Sequence, residues 1–61
     1  MAKILIIEDD SDIAELIEYN FKQEKWDTVT AFKGADGVRL ANSESPDVII
    51  LDLMLPDMSG L

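Results

Sequence analysis

Two short runs of aliphatic residues, each ending in acidic residues, constrain the fold of this chain more than any other feature. Residues 4–7 lead into Glu8, Asp9 and Asp10, and residues 48–51 lead into Asp52. Continuous apolar runs of this length are typical of strands buried on both faces of a parallel sheet. If the two strands are neighbours, four carboxylates meet at one edge of the sheet. They repel one another there unless a cation or a phosphoryl-transfer role compensates them.

Composition narrows the class of protein. The chain has 61 residues, enough for one small domain, and such a domain buries only about 60% of its unfolded surface. The net charge of -8 disfavours direct contact with nucleic acid or an anionic membrane. Cysteine and histidine are absent, so any metal must be held by oxygen and the usual general base is missing. No segment is long and apolar enough to be a membrane span or a signal peptide, so we expect a cytoplasmic protein.

The residues between and after the two runs predict an alternation of strands and helices. The predicted elements are strands over residues 3–7, 26–32 and 48–51, a helix that follows N-cap residues at 11 and 12 and runs to about residue 25, a helix over residues 35–43, and a loop over residues 53–61. The side chains predicted to face the core from the helices are Ile13, Leu16, Ile17 and Phe21, then Val38 and Ala41. A β-α-β-α-β order implies right-handed crossovers and a parallel sheet, which binds ligands beyond the carboxyl ends of its strands.

Several acidic and aromatic residues have structural interpretations. Ser11 and Asp12 offer N-cap oxygens for the first helix, with Glu15 in capping-box spacing after Asp12. Asp10 is also better explained as a cap than as a ligand. Glu8 and Asp9 precede the caps at a strand end, which favours a metal site over solvated surface acids. The aromatic residues predicted to be at least partly buried are Tyr19 and Trp26.

Other chemistries with a strand-end site lack their motifs. The first strand is followed by neither Gly-x-Gly-x-x-Gly nor Gly-x-x-x-x-Gly-Lys, so the phosphate cradles of dinucleotide-binding and P-loop proteins are missing. A haloacid-dehalogenase-type phosphatase places a second Asp two residues after its nucleophile, where this chain has Met54. The serines have no histidine to activate them. We therefore do not expect an enzyme.

Three segments carry a resemblance to a known family. Residues 3–10 (KILIIEDD), 29–34 (VTAFKG) and 46–61 (PDVIILDLMLPDMSGL) closely resemble the receiver domain of two-component response regulators. Within that family they look most like receivers that precede a winged-helix DNA-binding domain. The resemblance implies a flavodoxin-like α/β fold with strand order 2-1-3. It also implies that Asp52 accepts a phosphoryl group from a histidine kinase, with Mg2+ bound by Glu8, Asp9, Asp52 and the main-chain carbonyl of Met54.

The same resemblance implies that residues 1–61 form a partial receiver domain with no second domain. A whole receiver has five strands, and its hydroxyl residue after the fourth strand and its lysine after the fifth have no counterpart here. We therefore expect phosphorylation to be impaired. The third strand would form an open apolar edge, and we expect dimerisation through it to complete the fold. The alternative function is a self-associating half-receiver fragment, natural or engineered, without phosphotransfer activity.

Overall fold

The computed structural model describes residues 2–52 and places them in three strands and two helices. The elements are β1 (Lys3–Glu8), α1 (Ser11–Gln23), β2 (Asp27–Ala31), α2 (Gly34–Glu44) and β3 (Val48–Asp52). The strands form one parallel sheet in the order β2-β1-β3, which confirms the predicted topology. The predicted loop over residues 53–61 lies outside the described residues. Neither described helix is long and apolar enough to cross a membrane.

β1 is the buried centre of the sheet. Ile4, Leu5 and Ile6 are fully buried and Ile7 is nearly so, as the continuous apolar run predicted. Leu5 and Ile7 form a cluster with Ala31 of β2, and α2 packs against this cluster. Successive side chains of a strand point to opposite faces, so Ile4 and Ile6 lie on the other face of the sheet.

α1 packs on the face of the sheet opposite α2, with a small residue fully buried and a polar contact to β2. Ala14 is 1% exposed. The Glu18 carboxylate accepts hydrogen bonds from the hydroxyl groups of Thr28 (3.3 Å) and Thr30 (3.2 Å) on β2. The contact with β2 fixes the rotation of α1 about its own axis.

This rotation corrects the predicted inner face of α1. Ile17 and Phe21 are partly buried as predicted, but Ile13 and Leu16 are 42% and 61% exposed. Tyr19, predicted to be partly buried, is also exposed. The apolar pattern alone cannot show that Ala14 and Glu18 face the sheet, and their contacts turn one apolar flank of the helix outward.

Gly37 determines how α2 packs. A Cβ atom at this position would lie 2.3 Å from Cδ1 and 2.8 Å from Cγ1 of Ile7, so the helix backbone lies closer to β1 than any side chain would allow. Ala41 packs against the core as predicted. Val38, also predicted to face the core, is 64% exposed because the line of contact runs through Gly37 instead.

α1 ends at Gln23, two residues before the predicted end, in a Schellman motif. The N–H of Lys25 donates to the carbonyl of Lys22 and the N–H of Trp26 to that of Phe21, each at 3.0 Å. The Trp26 and Phe21 rings meet edge to face with their centroids 5.5 Å apart. Trp26 is partly buried as predicted, but it belongs to this cap, and β2 begins one residue later than expected.

Lys25→Gly is expected to stabilise the chain by about 0.5–1 kcal/mol, because Lys25 has a left-handed backbone, with φ of 66°, that glycine adopts without strain. Gln23→Gly, inside the same helix, is the matched control and is expected to destabilise by up to about 1 kcal/mol. The measurement is the free energy of unfolding in urea. Equal destabilisation by both substitutions would contradict the proposed effect of the left-handed cap.

Candidate functional site

The carboxyl ends of β1 and β3 bring predicted site residues to one edge of the sheet. Glu8 is the last residue of β1, Asp52 is the last residue of β3, and the two are Cα partners in the parallel pairing. Neighbouring strands lie about 4.8 Å apart, so these residues occupy adjacent positions. Asp9 follows Glu8 directly and is exposed. Met54 lies outside the described residues, and side chains are described only as far as Leu51.

The pairing of Glu8 with Asp52 is fixed at the opposite end of the sheet. The main-chain N–H of Lys3 donates to Oδ2 of Asp47 at 2.9 Å, and the N–H of Asp47 donates to the carbonyl of Lys3 at 2.8 Å. The Lys3 ammonium group also forms an ion pair with Glu44 at 3.1 Å. A one-residue slip of β3 would break the two bonds to Asp47 and would reverse the faces of its side chains.

Glu8 is the only charged residue that is buried among residues 2–51, with 1% of its surface exposed. Its Oε1 atom accepts a hydrogen bond from the main-chain N–H of Asp10 at 3.1 Å. Burial of a carboxylate is unfavourable unless hydrogen bonds or opposite charges compensate it. The carboxylate of Glu8 is therefore buried and hydrogen-bonded at the strand end. Its burial excludes the interpretation of Glu8 as a solvated surface acid.

The N-cap of α1 is Asp10, which confirms its interpretation as a cap. Its Oδ1 atom accepts hydrogen bonds from the N–H groups of Asp12 (2.9 Å) and Ile13 (3.3 Å). The prediction of Ser11 or Asp12 as the cap is wrong, because both residues are already helical, and the capping box with Glu15 therefore lacks its N-cap residue. Residues 10, 11 and 12 are all of types that cap helices, so residue type alone does not identify the cap. The position at which β1 ends determines which of them becomes the N-cap.

A groove among the described residues lies beside the carboxyl edge of the sheet. It has a volume of about 280 Å³ and lies between α1 and β2. Its lining residues are Ser11, Ala14, Glu15, Glu18, Thr30 and Phe32. Neither Glu8 nor Asp9 is among the described residues that line it.

The donor chemistry of the edge suits a hard cation. Carboxylate and carbonyl oxygens are the ligands that Mg2+ prefers. Among the described residues no group of three or more acidic side chains is arranged to hold a metal ion. The predicted set needs the Asp52 side chain and the Met54 carbonyl as well, so the described portion of the site is Glu8 and Asp9. These two carboxylates, one buried and one exposed, have the donor chemistry that the cation prefers.

Fold and site together define a small doubly wound α/β domain whose functional edge lies at the carboxyl ends of its parallel strands. The family model for the response regulator receiver domain matches residues 4–61. The chain therefore belongs to the response regulator receiver domain family. It is a module of two-component signalling, in which the general partner of a receiver is a histidine kinase.

Proposed function

We propose that this receiver accepts a phosphoryl group on Asp52 in a reaction that requires Mg2+. The observation that carries the proposal is the Cα pairing of Asp52 with the buried Glu8 at the carboxyl edge of the sheet. A carboxylate oxygen of Asp52 would attack phosphorus, and the bond from phosphorus to the donor atom would break. With a phosphohistidine donor the leaving imidazole takes up a proton, and the product is an acyl phosphate.

The other residues of the site would manage negative charge. Glu8, Asp9, Asp52 and the Met54 carbonyl are proposed to hold the ion, with Glu8 fixed by the Asp10 N–H. When bound, Mg2+ neutralises charge on the carboxylates and on the transferred group. Without it, an acidic edge on a chain of net charge -8 would repel an anionic donor.

Charge also supports the proposed setting of this module. The net charge of -8 favours partners with basic surfaces and leaves DNA contact to another domain, such as the winged-helix output domain that the resemblance implies. We place the chain in the cytoplasm, where it acts as a phosphoryl acceptor and not as an enzyme.

A small acyl phosphate such as acetyl phosphate, with the intact mass of the chain as readout, tests the proposal. In the presence of Mg2+ we expect a mass gain of one phosphoryl group that hydroxylamine removes, since hydroxylamine cleaves acyl phosphates. With a chelator we expect no gain. A chain that gains no mass at any Mg2+ concentration would contradict the proposal.

A second proposal is self-association of two copies through β3. Val48, Ile49 and Leu51 are 42%, 49% and 67% exposed, and β3 lies at the edge of the described sheet. An exposed apolar edge strand can pair with another strand, and a two-fold axis would let each copy cover the other. The alternative function, a self-associating fragment without phosphotransfer activity, is not favoured by the family match. We therefore propose self-association in addition to phosphotransfer and not in its place.

Ile49→Lys is expected to convert dimer to monomer, because it places a charge on the exposed apolar strand. Val38→Lys adds the same charge at a 64% exposed position on α2 and is expected to leave the dimer intact. Light scattering during size-exclusion chromatography measures the mass. Because the net charge of -8 opposes association, salt should strengthen it. A monomeric parent chain at high concentration and high salt would exclude this proposal.

A further inference from the structure

We propose that Asp10 is a positioning residue for the cation site and that it acts through Glu8. By capping α1, Asp10 fixes the direction of its own main-chain N–H, and that N–H holds the Glu8 carboxylate. The inference rests on the proposed function, because it requires Glu8 to belong to a Mg2+ site.

Every polar group of Asp10 has a described hydrogen bond. Its N–H donates to Oε1 of Glu8 at 3.1 Å. Its Oδ1 accepts from the N–H groups of Asp12 (2.9 Å) and Ile13 (3.3 Å), and its carbonyl accepts from the N–H of Ala14 at 2.9 Å. These bonds link the end of β1 to the first turn of α1 through one residue.

The first turn of α1 is itself fixed on the sheet. Ala14 is 1% exposed, so the turn that carries the hydrogen-bond donors cannot shift without disturbing the packing. The cap bonds hold Asp10 in an extended conformation with φ of -92° and ψ of 114°. This conformation directs the Asp10 N–H toward Glu8, so the position of the buried carboxylate depends on the side chain of Asp10.

Loss of the cap should therefore weaken cation binding. Removal of a group that orients a metal ligand typically reduces metal affinity about 10–100-fold. The carboxylate of Asp10 could also attract the cation by charge alone. Asn and Ser cap helices as well as Asp does but carry no charge, so they separate the two effects.

The test is an Mg2+ titration of the 61-residue chain, followed by the NMR amide shifts of the residues around Glu8. We expect Asp10→Asn and Asp10→Ser to bind Mg2+ within about threefold of the parent chain. We expect Asp10→Ala and Asp10→Gly to bind about 10-fold more weakly than the Asn variant. The Gly variant guards against unfolding, because Gly at an N-cap reduces stability much less than Ala does.

Ala41→Gly in α2 is the control for a general loss of stability. It should destabilise the chain about as much as the loss of a cap does, while leaving Mg2+ affinity unchanged. If the Ala and Gly variants bound Mg2+ as tightly as the Asn variant, the cap would have no effect on the site and the inference would be overturned. It would also be overturned if the Asn variant bound as weakly as the Ala variant, because the charge of Asp10 would then explain the loss. Absence of saturable Mg2+ binding by the parent chain would instead overturn the proposed function, and the inference with it.

Discussion

Asp52→Asn is expected to abolish phosphoryl incorporation while leaving the fold unchanged. An amide has nearly the shape of a carboxylate, but it is neutral and too weakly nucleophilic to attack phosphorus. Asp52 ends β3 beside the buried Glu8, so its replacement removes the nucleophile from the only strand end that pairs with Glu8 in the described sheet. The measurement is the intact mass after incubation with acetyl phosphate and Mg2+.

Asp27→Asn is the matched control for this experiment. Asp27 is an exposed residue at the start of β2, so the variant makes the same chemical change at the opposite end of the sheet and has the same formal charge. It should gain one phosphoryl group as the parent chain does. Phosphate on the Asp52→Asn variant, mapped by peptide mass to another carboxylate such as Asp9, would show that the acceptor has been assigned incorrectly.

Gly37→Val is expected to destabilise the chain by about 2–3 kcal/mol, most of what a core of this size provides. The reason is the close approach of α2 to β1, where even a Cβ atom would lie 2.3 Å from Cδ1 of Ile7. Ile7 is 7% exposed and has little room to move. Urea denaturation followed by circular dichroism measures the loss.

Two further variants separate this steric effect from helix propensity. Ala35→Val introduces the same side chain at an exposed position of α2 and should destabilise by no more than about 0.7 kcal/mol. Ile7→Ala makes room for the valine, so the double variant Ile7→Ala with Gly37→Val should lose less stability than the sum of the single losses, by about 0.5–3 kcal/mol. Strict additivity would be evidence against contact between the two residues.

The elements were predictable because their signals are local. A strand buried on both faces needs a continuous apolar run, and residues 4–7 supply it in the order in which β1 uses it. The end of β1 was predicted within one residue, and the end of α1 within two. Helix ends depend on cap geometry. The left-handed residue after a helix is usually Gly or Asn, so a lysine at position 25 gave no sign in the sequence of its positive φ.

The predicted helix faces failed where small or polar residues make the contacts. Periodicity selects large apolar side chains, so it favoured Leu16 and Val38, both of which are exposed. The sheet is instead contacted by Ala14 and Glu18 of α1 and by Gly37 of α2. Hydrophobic periodicity does not identify small or polar residues as core-facing. Yet the small residues allow the helices to approach the sheet closely, and the polar residue Glu18 bonds α1 to β2.

The sequence by itself determined the order of strands and helices, the parallel sheet and the acidic residues proposed for the site, because these follow from short patterns along the chain. Only the tertiary structure decided that Glu8 is the buried carboxylate and that the N-cap is Asp10 rather than Ser11 or Asp12. It also decided which side of each helix meets the sheet. The physical reason is that burial and helix rotation are set by contacts between residues far apart in the chain, such as Ile7 with Gly37 and Glu18 with Thr30.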